Sequence, residues 1–281
     1  MTQRRFAQVD VFTDVPLLGN PVAVVLDSDG LSTEQMQAFC DWTNLSEATF
    51  VLPPTDPAAD YRVRIFCPGR ELPFAGHPTL GTCHAWLEAG GEPKGGEIVQ
   101  ECGVGLVVIR RDETTGRLAF AAPPRQRSGP LDDVDVARLV AALRIDPDEV
   151  VAHEWCDNGP GWRALLLRTA DAVLAVSLDA AALAGFDVGI AGPHAADGPA
   201  DLEVRAFFPG NGGSLTEDPV TGSLNAALGQ WLIGSGRLPE RYTARQGTAL
   251  GRDGRVSVEL ADGDVWVGGS SVTVLAGSAD L

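Results

Sequence analysis

The chain is poor in cysteine and in basic residues, and it holds no long apolar run. Five cysteines (Cys40, Cys67, Cys83, Cys102 and Cys156) are scattered through 281 residues, odd in number and without C-x-x-C spacing. That pattern argues against a disulfide framework and a zinc site, and it predicts reduced thiols in a cytoplasmic protein that binds no metal. Lys and Arg total 21 against 38 Asp and Glu, a net charge of −17. So acidic a surface lacks the basic patch that nucleic acid or an anionic membrane needs. It leaves room for one small anion, because a few backbone N–H groups suffice to bind a carboxylate. Arg4 and Arg5 stand early, but Asp10 and Asp14 interrupt what would be a signal peptide's apolar region. No apolar stretch approaches the ~20 residues that cross a bilayer, so a soluble protein is expected. Short-period repeats are missing too.

A long-period repeat is present. At an offset of 141, residues 56–69 (DPAADYRVRIFCPG) fall on 197–210 (DGPADLEVRAFFPG), with eight of 14 positions identical, from Asp56/Asp197 to Gly69/Gly210. Without a gap, HPTLGTCHAWL (77–87) then falls on DPVTGSLNAAL (218–228), which pairs His77 with Asp218 and Gly81 with Gly222. One offset carrying two motifs predicts a duplicated chain of two α+β lobes, each a sheet wrapped about one apolar helix. The expected division is 1–125 and 126–281, with Ser128–Asp133 as linker and a last strand near 270–278 packing back on the first lobe.

Thr79–Leu87 and Thr221–Ile233 are apolar nearly all round, so each is expected at the centre of its lobe. Asp218-Pro219 reads as an N-cap followed by proline at the first helical position, and His77-Pro78 as its copy. Gly76, Gly81, Gly222 and Ser223 would let a ligand approach first-turn N–H groups, so the two starts are expected to hold one small anionic substrate. Ser32–Trp42 reads as a further helix, with Ser32 and Gln35 in a capping box. His84 is expected in the core, and His153 and His194 at the surface. Arg64 and Arg205, duplicated, are expected in structural ion pairs. Glu47, in NLSEATF (44–50), has no evident counterpart in the second half; as an acid/base it would need burial to raise its pKa from ~4.3 toward ~6–7.

The set GNPVAVV (19–25), NLSEATF (44–50), PFAGHPTLG (73–81) and EDPVTGS (217–223) resembles the PhzF family of phenazine-biosynthesis isomerases, over essentially the whole chain. The resemblance implies the diaminopimelate-epimerase fold: two pseudo-symmetric lobes, each a barrel-like sheet around a central helix, with the active site between them. It implies a cofactor-free enzyme, usually a homodimer, that moves a proton within an unsaturated amino or hydroxy acid such as trans-2,3-dihydro-3-hydroxyanthranilate. Glu47 matches the proton-transferring glutamate, Ser46 its hydrogen-bonding neighbour, and His77 and Asp218 the residues flanking the substrate. Gly76, Gly222 and Ser223 match the family's backbone sites at the helix starts, whereas Leu224 departs from the small residue common at its position. Two other readings remain at this stage: an epimerase using His77 and Asp218, and a non-catalytic binder of small acids. A cysteine-dependent epimerase is disfavoured because Cys83 lies inside the helix, and a serine hydrolase because no G-x-S-x-G run exists.

Overall fold

β-branched and aliphatic runs, broken by Gly/Asp turns, build seventeen strands and five α-helices among the described residues of a computed structural model. It describes residues 2–179, 181–183, 185–209 and 215–281. The chain divides into a unit of Met1–Ala121 with Gly268–Leu281 and a unit of Ala122–Val267.

In the first unit the order is β1 (Gln3–Val11), β2 (Asn20–Val25), α1 (Thr33–Thr43), β3 (Ala48–Leu52), β4 (Tyr61–Cys67), β5 (Arg70–Leu72), α2 (Gly76–Glu88), β6 (Ile98–Cys102), β7 (Gly105–Arg111) and β8 (Leu118–Ala121). The ladder alternates: β1–β2 antiparallel, β2–β3 parallel, β3–β4 and β4–β5 antiparallel, β4–β6 parallel, then β6–β7 and β7–β8 antiparallel. The second unit adds α3 (Asp133–Leu143) and then runs β9 (Val150–Trp155), β10 (Arg163–Leu167), α4 (Ala170–Ala175), β11 (Val188–Pro193), β12 (Leu202–Pro209), β13 (Leu215–Asp218), α5 (Gly222–Gly234), β14 (Arg241–Gln246), β15 (Gly254–Ala261) and β16 (Asp264–Gly269). Its pairings repeat the same senses: β9–β10 antiparallel, β10–β11 parallel, β11–β12 and β12–β13 antiparallel, β12–β14 parallel and β14–β15 antiparallel. The duplication is therefore topological as well as sequential. The final strand, β17 (Ser271–Asp280), pairs with β1.

The apolar helices are central, as their patterning requires. α2 packs on β1, β2, β3, β8 and β17, and Leu80 and Cys83 are fully buried. α5 buries Leu224, Leu228 and Leu232 completely, each worth ~1.5–3 kcal/mol of transfer free energy. α1 opens with the expected capping box of Ser32 and Gln35 and ends at Asn44 in the left-handed region, φ 58°. None of the described helices is long and apolar enough to cross a membrane.

The register between halves differs from the ungapped alignment. Strand β4 maps on β12 at 141, but Phe66 pairs with Glu71 while Phe207 pairs with Glu217, so the second half carries five extra residues there. Residues 210–214, with Gly210 of the aligned segment, lie outside the described residues. Beyond the insertion the offset is 146: Glu71, Pro73 and Gly76 fall on Glu217, Pro219 and Gly222. The ion pairs confirm this register. Arg64 Nε and Nη2 donate to Glu71 at 2.7 and 2.6 Å, and Arg205 Nε and Nη2 donate to Glu217 at 2.9 Å each. His77 is thereby the counterpart of Ser223, and Leu72 that of Asp218.

Three smaller expectations fail for identifiable reasons. Ser128–Asp133 is bonded into the second unit, because Gly129 N–H donates to Glu154, Leu131 N–H to His153 Nδ1, and Asp132 caps α3. His194 is no surface residue: its Nε2 lies 2.9 Å from a carboxylate oxygen of the fully buried Glu203. His84 is only partly buried, with Nε2 3.1 Å from Thr273 Oγ1 and 3.4 Å from Glu88.

Candidate active site

Parallel strands set side by side begin at the same end, which brings distant residues together in the first unit. Asn20 opens β2, Glu47 immediately precedes β3, and the Glu47 carbonyl accepts the Ala23 N–H at 3.4 Å. α2 starts beside them. Its N-cap is Ala75, which has no side chain to cap with, so His77 stands within the first turn and is not the cap that its Pro neighbour suggested. Thr79 N–H closes the turn on the Ala75 carbonyl at 3.1 Å. Pro78 has no N–H, so Gly76 and His77 carry the first-turn donors, and these meet no acceptor among the described residues.

The His77 ring is the centre of this cluster. Nε2 lies 3.3 Å from Glu47 Oε2, and Nδ1 lies 3.5 Å from Asn20 Nδ2. Side-chain exposure is 7% for His77 and 17% for Glu47, so the imidazole is closed in while the carboxyl retains an opening. Burial pushes the His77 pKa down to about 3, opposed by its hydrogen bond to the Pro21 carbonyl. The ring is therefore neutral near pH 7. A neutral imidazole carries one N–H: with it on Nε2 the ring can donate to an ionised Glu47, and with it on Nδ1 the ring can accept from a protonated Glu47, the second arrangement holding one proton more than the first. Ser46 stands one residue before Glu47, partly exposed.

The second unit's helix start is built differently. Asp218 ends β13, and the N-cap of α5 is Thr221, so Asp218 is not the cap its Asp-Pro pairing suggested. It still supports the turn: its carboxylate accepts from Thr221 Oγ1 at 2.6 Å. The fully buried Gln246 completes the arrangement. Its Oε1 accepts from Thr221 N–H and Asn225 Nδ2, and its Nε2 donates to the Asp218 carbonyl and to Thr221 Oγ1, all at 2.9–3.1 Å. Gly222, Ser223 and Leu224 then offer first-turn N–H groups without acceptors among the described residues, while Asn225 N–H returns to the Thr221 carbonyl. Leu224 is accommodated by Gly189 of β11, where a Cβ would lie 2.5 Å from its Cδ1.

Asp187 precedes β11 as Glu47 precedes β3, and its carbonyl accepts the Arg163 N–H at 2.9 Å, so Glu47 does have a topological counterpart. Sequence reasoning missed it, and it missed Trp162, Thr221 and Gln246; Asn20 lay within a quoted motif but without a role. Cys83 is fully buried, and burial pushes its thiol up to about 12, which unsuits it for proton transfer at neutral pH. Arg205 also bonds the Val173 and Val176 carbonyls at the end of α4, so the duplicated arginines are structural. Two surface hollows of the first unit, of about 360 and 520 Å³, include neither Glu47 nor His77; paired chemistry identifies the site better than volume does.

The chain has a duplicated α+β fold of the diaminopimelate-epimerase kind, with a partly open carboxyl beside a buried imidazole at a helix start. Residues 9–277 match the PhzC-PhzF model of phenazine biosynthesis-like proteins, and the chain belongs to this isomerase family. It is similar to antisense-enhancing sequence 1 of Schizosaccharomyces pombe, 36% identical over 99% of both chains. It is also similar to the trans-2,3-dihydro-3-hydroxyanthranilate isomerase of Pseudomonas aeruginosa, 34% identical over 90% of this chain and 88% of that one. The crystal structure of a PhzF-family phenazine biosynthesis protein from Bacillus anthracis superposes with a TM-score of 0.83 at 22% identity, covering all of both chains.

Proposed function

We propose that this chain is a cofactor-free isomerase that moves a proton within a small unsaturated amino or hydroxy carboxylic acid, with Glu47 as the acid/base. The observation that carries the reading is the Glu47–His77 contact of 3.3 Å at the start of α2. A carboxyl that is partly open, with a neutral ring held behind it, can take a proton from one carbon and return it to another on the same face. His77 keeps that carboxyl in place and, staying neutral, donates a hydrogen bond to it when Glu47 is ionised or accepts one from it when Glu47 is protonated. Ser46 and the Gly76 N–H are assigned to substrate hydrogen bonds. Asp218 is assigned to the substrate's heteroatoms, and Gly222 and Ser223 to its carboxylate. The relative named for trans-2,3-dihydro-3-hydroxyanthranilate makes that compound the first to try. Acid/base transfer of this kind contributes roughly 10²–10⁴-fold.

The test is conversion of trans-2,3-dihydro-3-hydroxyanthranilate in deuterated water, followed by NMR. Wild type is expected to convert it, with solvent deuterium at the carbon that receives the proton to the extent that Glu47 exchanges. Glu47→Gln is expected to bind it and not convert it. Conversion by that variant within tenfold of wild type would refute the assignment of Glu47 (about 1.4 kcal/mol of barrier at most).

A further inference from the structure

Ser223 is the second residue of α5, and the segment 156–162 between β9 and β10 holds it from one side. Trp162 Nε1 lies 3.0 Å from Ser223 Oγ, and Asn158 Nδ2 donates to the Ser223 carbonyl at 2.8 Å. The segment is itself fixed. Asp157 Oδ1 accepts from Gly159 and Gly161 N–H at 2.8 and 3.0 Å, both glycines having positive φ (141° and 87°). Cys156 N–H donates to the Trp162 carbonyl at 2.9 Å, and Trp162 is 3% exposed.

An indole N–H donates and never accepts. Ser223 Oγ must therefore accept from Trp162, which turns the serine O–H proton away from the indole. Among the described residues that proton meets no acceptor. We infer that Trp162 is a positioning residue that presents Ser223 as a hydrogen-bond donor, so that α5 seats the carboxylate end of an amino acid and rejects its ammonium end. An ammonium group donates hydrogen bonds and has no lone pair with which to accept one; here it would face an outward O–H and three N–H groups. The ligand clause rests on the function proposed above, whereas the Trp162–Ser223 relation does not.

Two measurements test the two clauses separately. With ¹⁵N-labelled indoles, the Trp162 N–H resonance (identified by its loss in Trp162→Phe) is expected to shift and exchange faster in Ser223→Ala. No response of that resonance overturns the inference, whatever the substrate. For the ligand clause, calorimetry uses 2-aminobenzoate, a cyclic amino acid that cannot isomerise. Trp162→Phe and Ser223→Ala are each expected to weaken its binding by about tenfold, and the double variant no more than either alone. Losses that multiply in the double variant overturn the claim that Trp162 acts through Ser223. A responsive resonance with wild type that takes benzylamine and not 2-aminobenzoate overturns the carboxylate assignment here and the substrate class proposed above.

Discussion

The two repeats share one scaffold and arm it differently at the same place. At the second position of α2 stands His77, flanked by Asn20 and Glu47; at the second position of α5 stands Ser223, flanked by Asn158 and Trp162. In both, residues from the hairpin before the parallel pair reach the helix start. The first set contains a carboxyl and an imidazole, and the second contains an amide, an indole and a hydroxyl. Duplication thus supplied two equivalent frames, and divergence of a few side chains gave their helix starts different chemical groups.

The largest expected effect breaks that asymmetry directly. Glu47→Gln should lower kcat by roughly 10²–10⁴-fold, whereas Asp187→Asn, at the equivalent position of the other repeat, should leave kcat near wild type. Steady-state rates on the same substrate decide it. Equal losses would mean that both repeats carry proton chemistry, and the epimerase reading would then gain.

Next comes stability. The Arg205–Glu217 pair is 7% and 13% exposed and also ties down the end of α4, whereas its copy, Arg64–Glu71, is 26% and 40% exposed. Removing one member of a buried pair strands the other, so Arg205→Met should cost about 3–5 kcal/mol. Arg64→Met should cost about 1 kcal/mol or less, since water can solvate Glu71. Urea unfolding of the two variants measures both. Similar losses would show that burial does not distinguish the copies.

Titration sharpens the comparison further. His77 has its pKa lowered by burial to about 3, against 6.5 for an exposed histidine, and Ser223 has no counterpart titration. Below pH 6.5 the unfolded chain binds a proton there that the folded chain refuses until about pH 3. Stability must therefore fall as pH drops through that window, by about 1.4 kcal/mol per unit well inside it. The difference between wild type and His77→Asn in urea unfolding at pH 7, 5.5 and 4.5 isolates the effect. A difference that does not change with pH would mean that His77 is charged in the folded protein.

Much of the architecture was legible because it depends on local pattern. α2 and α5 are apolar on all faces, and the strands between them are β-branched runs bounded by glycine. The candidate pair was less legible from residues alone. Glu47 and His77 are thirty positions apart, and only the parallel pairing of β2 and β3 places the start of each strand at one helix end. The register of the second half was misread because Asp-Pro looks like a cap followed by the first helical residue. Here it ends a strand, and the five extra residues fall in a glycine-rich stretch, PGNGGS, that carries no periodicity to betray them. Trp162 gave no signal either, since one aromatic after a glycine has many possible surroundings.

The smallest effect concerns how each central helix is brought close to its sheet. In the first repeat the helix gives way: a Cβ on Gly81 of α2 would lie 2.4 Å from Val22 Cγ1 and 2.9 Å from Val11 Cγ2. In the second the strand gives way, since a Cβ on Gly189 of β11 would lie 2.5 and 2.7 Å from the two methyls of Leu224. Leu224 is fully buried and has little room to retreat. Gly189→Ala should therefore cost about 1–3 kcal/mol by overpacking. Leu224→Ala alone should cost about 2–5 kcal/mol by leaving a cavity. Adding Gly189→Ala to that variant should cost less than it does in wild type, because the new methyl enters space the leucine has left, a coupling of about 1 kcal/mol or more. A double-variant cycle by urea unfolding measures it, and strict additivity would mean that the clash is relieved elsewhere. Coupling would instead explain how a bulky residue follows Gly222-Ser223 without moving the helix start: the compensating loss of volume sits on the neighbouring strand, thirty-five residues earlier in the chain.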